Sequence, residues 1–230
     1  MKEMLTNSVF FGVFISVGSY ILADILKNKF KTPLLNPLLI STAVTIAVLA
    51  LGGMDYESYQ TGGKYLNYFL TPATVCLAIP LYEQFEKLKK NAAAIMIGII
   101  SGMLTSFCSI LVMALIMKFS HEEYVTFLPK SITTAIGVGV AEEIGGYVGV
   151  TAAVIVITGI LGNIIADGIF KLFHINEPVA KGVALGTSSH ILGTVKALEL
   201  GETEGAISSL SVVTAGLMTV IFAPIFANFI

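Results

Sequence analysis

The stretch KGVALGTSSHILGTVKALELGE, residues 181–202, decides how this chain is read. Its uncharged core, residues 182–195, carries Gly182, Gly186 and Gly193 around a histidine, His190. A helix needs about 20 apolar residues to cross a bilayer, so this core is too short to span. It is also too apolar for an ordinary surface loop. Inside a membrane, broken backbone is tolerated only where protein or a watery cavity satisfies the freed N–H and C=O groups. The stretch is therefore expected to be a broken or re-entrant segment held inside a helical bundle.

The rest of the chain fits that reading. Hydrophobic residues make up 55% and charged residues 12%, against roughly 25% charged in a soluble domain. A net charge of −2 offers no basic surface, so no nucleic-acid partner is expected. Tryptophan is absent, which leaves Tyr56, Tyr59, Tyr65, Tyr68 and Tyr82 as interfacial anchors near the ends of apolar runs. Uncharged runs long enough to span, or nearly so, are 4–23, 32–54, 65–82, 91–117, 144–166 and 205–230. The first exceeds the apolar core of a signal peptide and is read as a transmembrane helix. The expected fold is all-α: a polytopic membrane protein with about six full transmembrane helices plus two broken or re-entrant segments, as one domain over 1–230.

The second short run is 131–141, also rich in Gly and Thr, and Pro72 and Pro80 interrupt the run 65–82. Short or interrupted apolar segments in corresponding places point to a transport site. Lys27, Lys29 and Lys31 follow the first run, and Lys87, Lys89 and Lys90 follow the third. Two spans separate these clusters, so both fall on one face. The positive-inside rule makes that face cytoplasmic and puts the N-terminus outside. If each short run enters and returns, Lys171 and Lys181 also fall inside and the two segments open from opposite faces. If each crosses, those lysines fall outside. Lysine bias favours re-entry.

Few side chains in these segments carry chemistry. Lys130, just before the run 131–141, is either a cation facing a carboxylate substrate or a snorkelling interfacial lysine. Ser131, Thr133 and Thr134 follow it, where hydroxyls cap a helix start and the free N–H groups attract anions. Glu142 and Glu143 are adjacent, so they point about 100° apart rather than forming one dyad. Each is a candidate for a coupling ion or proton, or an interfacial acid. Asp167 carries the same two readings at a span end. His190 sits among Thr187, Ser188, Ser189 and Thr194. It is either a substrate or proton ligand or a hydrogen-bonded packing residue. Cys76 and Cys108 are expected to be small buried hydrophobes. No metal-ligand spacing, nucleotide fingerprint or nucleophile triad is present, so neither a cofactor nor enzyme chemistry is expected.

The segments GGKYLNYFLTPATVCLAIPLYEQ, LPKSITTAIGVGVAEEIGG, VTAAVIVITGILGN, ALGTSSHILGT and EGAISSLSVVTAGLMTVIFAPI together resemble the LrgB/CidB family, which includes YohK-type inner-membrane proteins. The resemblance runs over nearly the whole chain. Ala135 stands where many members have proline, and Ile191-Leu192 vary the residues after the histidine. The resemblance implies a bacterial plasma or inner membrane protein acting beside a small LrgA/CidA-type membrane partner. It implies two functions. One is holin/antiholin-like modulation of murein hydrolase activity and autolysis. The other is movement of small 2-hydroxy or 2-keto monocarboxylates, because the plant chloroplast relative exchanges glycolate for glycerate and bacterial pairs are linked to pyruvate. A carrier is the main expectation, with the carboxylate held where residues 130–134 meet residues 188–194. A homodimer is expected too, since so short a transporter needs a scaffold.

Overall fold

The computed structural model describes residues 8–30, 36–69, 72, 75–76 and 78–230. Among them are eleven helices, α1 (Val9–Phe30), α2 (Pro37–Gly52), α3 (Tyr56–Asn67), α4 (Ala78–Glu83), α5 (Phe85–Lys90), α6 (Ala92–Met117), α7 (His121–Phe127), α8 (Thr134–Glu143), α9 (Val148–Leu172), α10 (Pro178–Leu200) and α11 (Glu202–Ala227). Four are long and apolar enough to cross a membrane: α1, α6, α9 and α11. α2 is apolar but has 16 residues. The run 65–82 holds the end of α3, α4 and several residues outside the described set. Pro80 falls in α4; residues 70–71 and 73–74 on either side of Pro72 lie outside the described set, and with them the break expected there.

The chain divides into two compact units, Met1–Cys76 and Leu77–Ile230. In the first, α1 packs on α2 and α3. Ser19 Oγ lies 3.1 Å from Thr45 Oγ1, and Ser16 Oγ lies 2.8 Å from the Tyr59 hydroxyl. α2 begins at Asn36, whose Oδ1 accepts from Leu38 N at 2.9 Å, with Pro37 in the first turn where no N–H is needed. It ends on Gly53, whose φ of 54° is the left-handed cap that glycine adopts without a Cβ penalty.

In the second unit α10 is not one straight helix. His190 has φ 45° and ψ −134° inside it, which separates arms 178–189 and 191–200. The contacts show that the chain folds back there. A Cβ at Gly193 would collide with the Leu185 carbonyl, eight residues earlier, whereas a continuous helix would put these about 12 Å apart. Along α11 the first arm runs parallel: Gly182 meets Ile207 and Gly186 meets Ser208. The second arm runs antiparallel: Thr194 Oγ1 lies 2.8 Å from Ser208 Oγ, and Leu198 meets Gly205. Leu185 of one arm and Ala197 of the other share one apolar cluster with Ala166 and Phe170 of α9. α10 is thus a re-entrant hairpin. Both ends lie near the α5 end of the unit, where Lys87 Nζ donates to Thr203 Oγ1 at 2.9 Å.

α7 and α8 form a second hairpin from the other end. Ser120 and Glu123 start α7 with a reciprocal capping box: Glu123 N donates to Ser120 Oγ at 3.2 Å, and Ser120 N donates to Glu123 Oε2 at 2.8 Å. α7 then descends between α6 and α11. Tyr124 and Val125 share a cluster with Met103, Phe107, Ile110 and Ala223, and the buried Tyr124 hydroxyl donates to Phe226 O at 3.0 Å. The chain turns over 128–133 and returns as α8. Gly146 comes back against Thr126, and the Tyr147 hydroxyl donates to Glu122 Oε2 at 2.8 Å. The two short apolar runs therefore both enter and return, and they do so from opposite ends.

Small residues make this packing possible. Lipid tails are as apolar as leucine, so helices in a membrane gain by close backbone approach instead. Cys76 and Cys108 do not follow the expectation of burial. Both are exposed, and a thiol is apolar enough to sit on an outward helix face.

Candidate functional site

The tips of the two hairpins meet midway along α6 and α9. Ser131 Oγ lies 3.2 Å from Ser106 Oγ on α6, and Lys130 Nζ donates to Ser131 Oγ at 3.1 Å. From the opposite end, a Cβ on Gly102 would touch Thr187 Oγ1 at 3.1 Å. Two cavities flank the first arm of α10. The larger, about 840 Å³, runs between that arm and α6 from Asn91 and Glu177 at one end to Lys130, Ser131, Thr187 and Ser188 at the other. The smaller, about 370 Å³, lies on the α9 side and holds Lys130, Thr158, Ser188 and Ser189 against an apolar wall that includes Ile165 and Phe170. Lys130 and Ser188 line both. The larger volume is within the range of small-molecule pockets.

Charge in this region is sparse. Among the described residues lining the two cavities, Lys130 is the one cation, and no described carboxylate forms an ion pair with it. Most hydroxyls around it spend their proton on their own helix. Thr105 donates to Ser101 O at 2.7 Å, Ser109 to Ser106 O at 2.7 Å, Thr187 to Val183 O at 2.7 Å and Ser188 to Ala184 O at 2.7 Å. Their oxygens then present lone pairs to the cavity. The Lys130 ammonium supplies the strong donors. α8 and the second arm of α10 begin near these tips, but α7 and the first arm of α10 end there, so the helix dipoles at each tip oppose one another.

The structure sorts the residues singled out in the sequence. It brings Lys130, Ser131, Thr187 and Ser188 to the larger cavity and Ser189 to the smaller. Thr133 is the N-cap residue of α8 without a side-chain cap bond, and Thr134 is exposed in its first turn; neither lines these cavities. Glu142 and Glu143 are exposed at the far end of α8. Thr194 is buried against Ser208 and bonds His190 O at 3.2 Å. Asp167 pairs with Lys196, Oδ2 to Nζ 2.8 Å, with Glu199 at 3.7 Å. The sequence reading missed Ser101, Thr105 and Ser109 of α6. Their signal was a hydroxyl every fourth residue inside a long apolar span, which puts all three on one helix face.

His190 is part of the packing. It is 4% exposed, and Nε2 lies 3.0 Å from Ile155 O. The carbonyl can only accept, so Nε2 carries the proton. Gly159 leaves room for the ring, since a Cβ there would stand 2.7 Å from it. The positive φ at His190 costs on the order of 1–3 kcal/mol for a residue with a Cβ, and the ring's bond and burial offset it. His190→Ala keeps the strain and loses the ring, whereas His190→Gly relieves the strain. Thermal melts of the detergent-purified variants are expected to rank wild type above His190→Gly and His190→Gly above His190→Ala. The Asp167–Lys196 pair, its side chains 45% and 14% exposed, is worth less. Asp167→Asn is expected to cost about 1 kcal/mol or less by the same melt, and less still in high salt.

Helices long enough to span, two opposed re-entrant hairpins and a polar site at their meeting point define a multi-pass helical membrane protein. The chain belongs to the LrgB-like family, whose pattern matches residues 16–229. It is 37% identical over 229 residues to a protein called antiholin-like protein LrgB from Bacillus subtilis (strain 168), covering 98% of each chain. No solved structure matches it significantly.

Proposed function

We propose that this protein is a secondary carrier of small 2-hydroxy or 2-keto monocarboxylates in the bacterial plasma or inner membrane, with its N-terminus outside. The observation that carries the reading is Lys130 at a hairpin tip. It is the one cation among the described residues lining two cavities whose walls around it are hydroxyls and apolar groups, with Asn91 and Glu177 at the far end of the larger. A half-buried ammonium without a carboxylate partner is costly to keep, and an anionic substrate offsets that cost. The single positive charge suits a monoanion. The hydroxyl lone pairs of Thr187 and Ser188 suit a substrate hydroxyl next to the carboxylate. Hairpins entering from opposite ends give each tip its own way out, as alternating access requires. Glu142, Glu143 and Asp167 remain candidates for a coupling ion. The family resemblance adds an LrgA/CidA-type partner and a homodimer.

The second reading is an antiholin-like membrane protein that modulates murein hydrolase activity and autolysis. The name of the Bacillus subtilis relative favours it, and kinship supports it more directly than it supports a carrier. Purified protein in liposomes separates the two. The carrier reading expects uptake of labelled glycolate, glycerate or pyruvate, with or without the LrgA-type partner. Folded protein that moves none of them under either condition leaves the antiholin-like reading.

A further inference from the structure

The two hairpins repeat each other in register. α9 starts at Val148, 56 positions after Ala92 of α6, and α10 starts at Pro178, 57 positions after His121 of α7. The breaks keep the same step. The first hairpin turns at Thr133, the N-cap of α8, and the second at His190, 57 positions on. At that step Leu128 matches Leu185, Ser131 matches Ser188, Val138 matches Val195 and Glu142 matches Glu199. Identity is too thin for the repeat to be legible without the breaks to align it. Each tip then presents a serine two residues before its break, Ser131 and Ser188, and both line the larger cavity. Three residues before the break stand Lys130 in one hairpin and Thr187 in the other, and these line it too.

From this juxtaposition we propose that Thr187 determines specificity: as the counterpart of Lys130, it sets the charge and the hydroxyl preference of the anion the site accepts. The inference rests on the carrier reading. A site built from two equivalent tips has two positions for a cation facing one cavity, and this chain fills one. A lysine at both would suit a dianion; a lysine opposite a threonine suits a monoanion. The threonine also does something a lysine does not. Its proton is committed to Val183 O at 2.7 Å, so its oxygen accepts a hydrogen bond from the bound molecule. A substrate hydroxyl can supply that bond, and an unsubstituted acid of the same length cannot. Thr187 is 8% exposed, but a longer side chain there has the cavity it lines to extend into.

The test compares acids matched in size. Glycolate and oxalate both have two carbons and differ in charge; lactate and propionate both have three and differ in the hydroxyl. Wild type, Thr187→Lys and Thr187→Val are purified, checked for monodispersity, reconstituted in liposomes and assayed for initial uptake of each labelled acid. Thr187→Lys is expected to raise the oxalate-to-glycolate ratio at least about tenfold. Thr187→Val keeps the shape and removes the acceptor, and is expected to lower the lactate-to-propionate ratio about tenfold. Wild-type ratios in both variants overturn the proposal. Where Thr187→Lys does not fold, an unchanged lactate-to-propionate ratio in Thr187→Val overturns it alone. In those cases the carrier reading survives, because the wild type still transports. Folded wild type that moves none of the four acids, nor glycerate or pyruvate, with or without the LrgA-type partner, removes the carrier reading and the role of Thr187 together.

Discussion

Lys130→Gln is expected to lower carboxylate uptake roughly ten- to a hundredfold while leaving the protein folded. The ammonium sits at the tip of the first hairpin, hydrogen-bonded to Ser131 at 3.1 Å and lining both cavities. No other cation among the described residues lining those cavities replaces it. A charged hydrogen bond is worth about 1.5–3 kcal/mol, roughly ten- to a hundredfold in binding. Glutamine keeps much of the length and one donor group but loses the charge, so the remaining hydroxyls face a carboxylate mostly as acceptors. Folding should not suffer, because an unpaired, half-buried charge is a liability to the free protein. Liposome uptake and a thermal melt check the two halves together: transport reduced by that factor with an unchanged or higher melting temperature. A variant that transports like wild type would put the substrate elsewhere.

Gly193→Leu is expected to prevent folding of the second hairpin. The arms of α10 close so tightly that even a Cβ at 193 would overlap the Leu185 carbonyl and stand 2.8 Å from Ser189 Cβ. The obstacle is backbone, which cannot rotate away as a side-chain tip does. Ordinary overpacking costs about 1–3 kcal/mol, and a collision between two arms belongs at or above the top of that range. α10 also packs along α11 and α9, so spreading its arms disturbs the polar contact of Thr194 with Ser208 and the cluster around Leu185 and Ala197. Gly168→Leu is the control, on the exposed face of α9 with nothing within 4 Å of its Cβ. Size-exclusion profiles in detergent should show aggregated or absent Gly193→Leu and monodisperse Gly168→Leu.

Several parts of this architecture were legible in the residues. Two uncharged runs too short to span, both rich in Gly and Thr, marked the hairpins. The lysines at 171 and 181 favoured re-entry, and the return of Gly193 onto Leu185 is the physical counterpart. The lining of the two cavities was legible only in part. Lys130, Ser131, Thr187 and Ser188 stood out because polar groups in an apolar run need a reason to be there. His190 stood out for the same reason, yet its polarity is spent on the Ile155 carbonyl. Composition cannot distinguish a side chain that bonds a neighbouring helix from one that faces a cavity, because both are polar groups among glycines. The hydroxyl face of α6 was passed over for the opposite reason. Ser101, Thr105 and Ser109 each bond their own helix backbone, so a serine-bearing span looks like any other until a cavity is found beside it.

Two hairpins that enter from opposite ends bring Lys130 and Ser188 to one cavity. Single cysteines tested with a membrane-impermeant maleimide, in a background lacking Cys76 and Cys108, address it most directly. Asn176→Cys and Glu202→Cys are expected to be labelled from one face, the same face as Lys87→Cys, and His121→Cys and Glu143→Cys from the other. Labelling of Asn176→Cys and Glu202→Cys from opposite faces would mean that residues 178–200 cross the membrane rather than re-enter it, and would rule the second hairpin out.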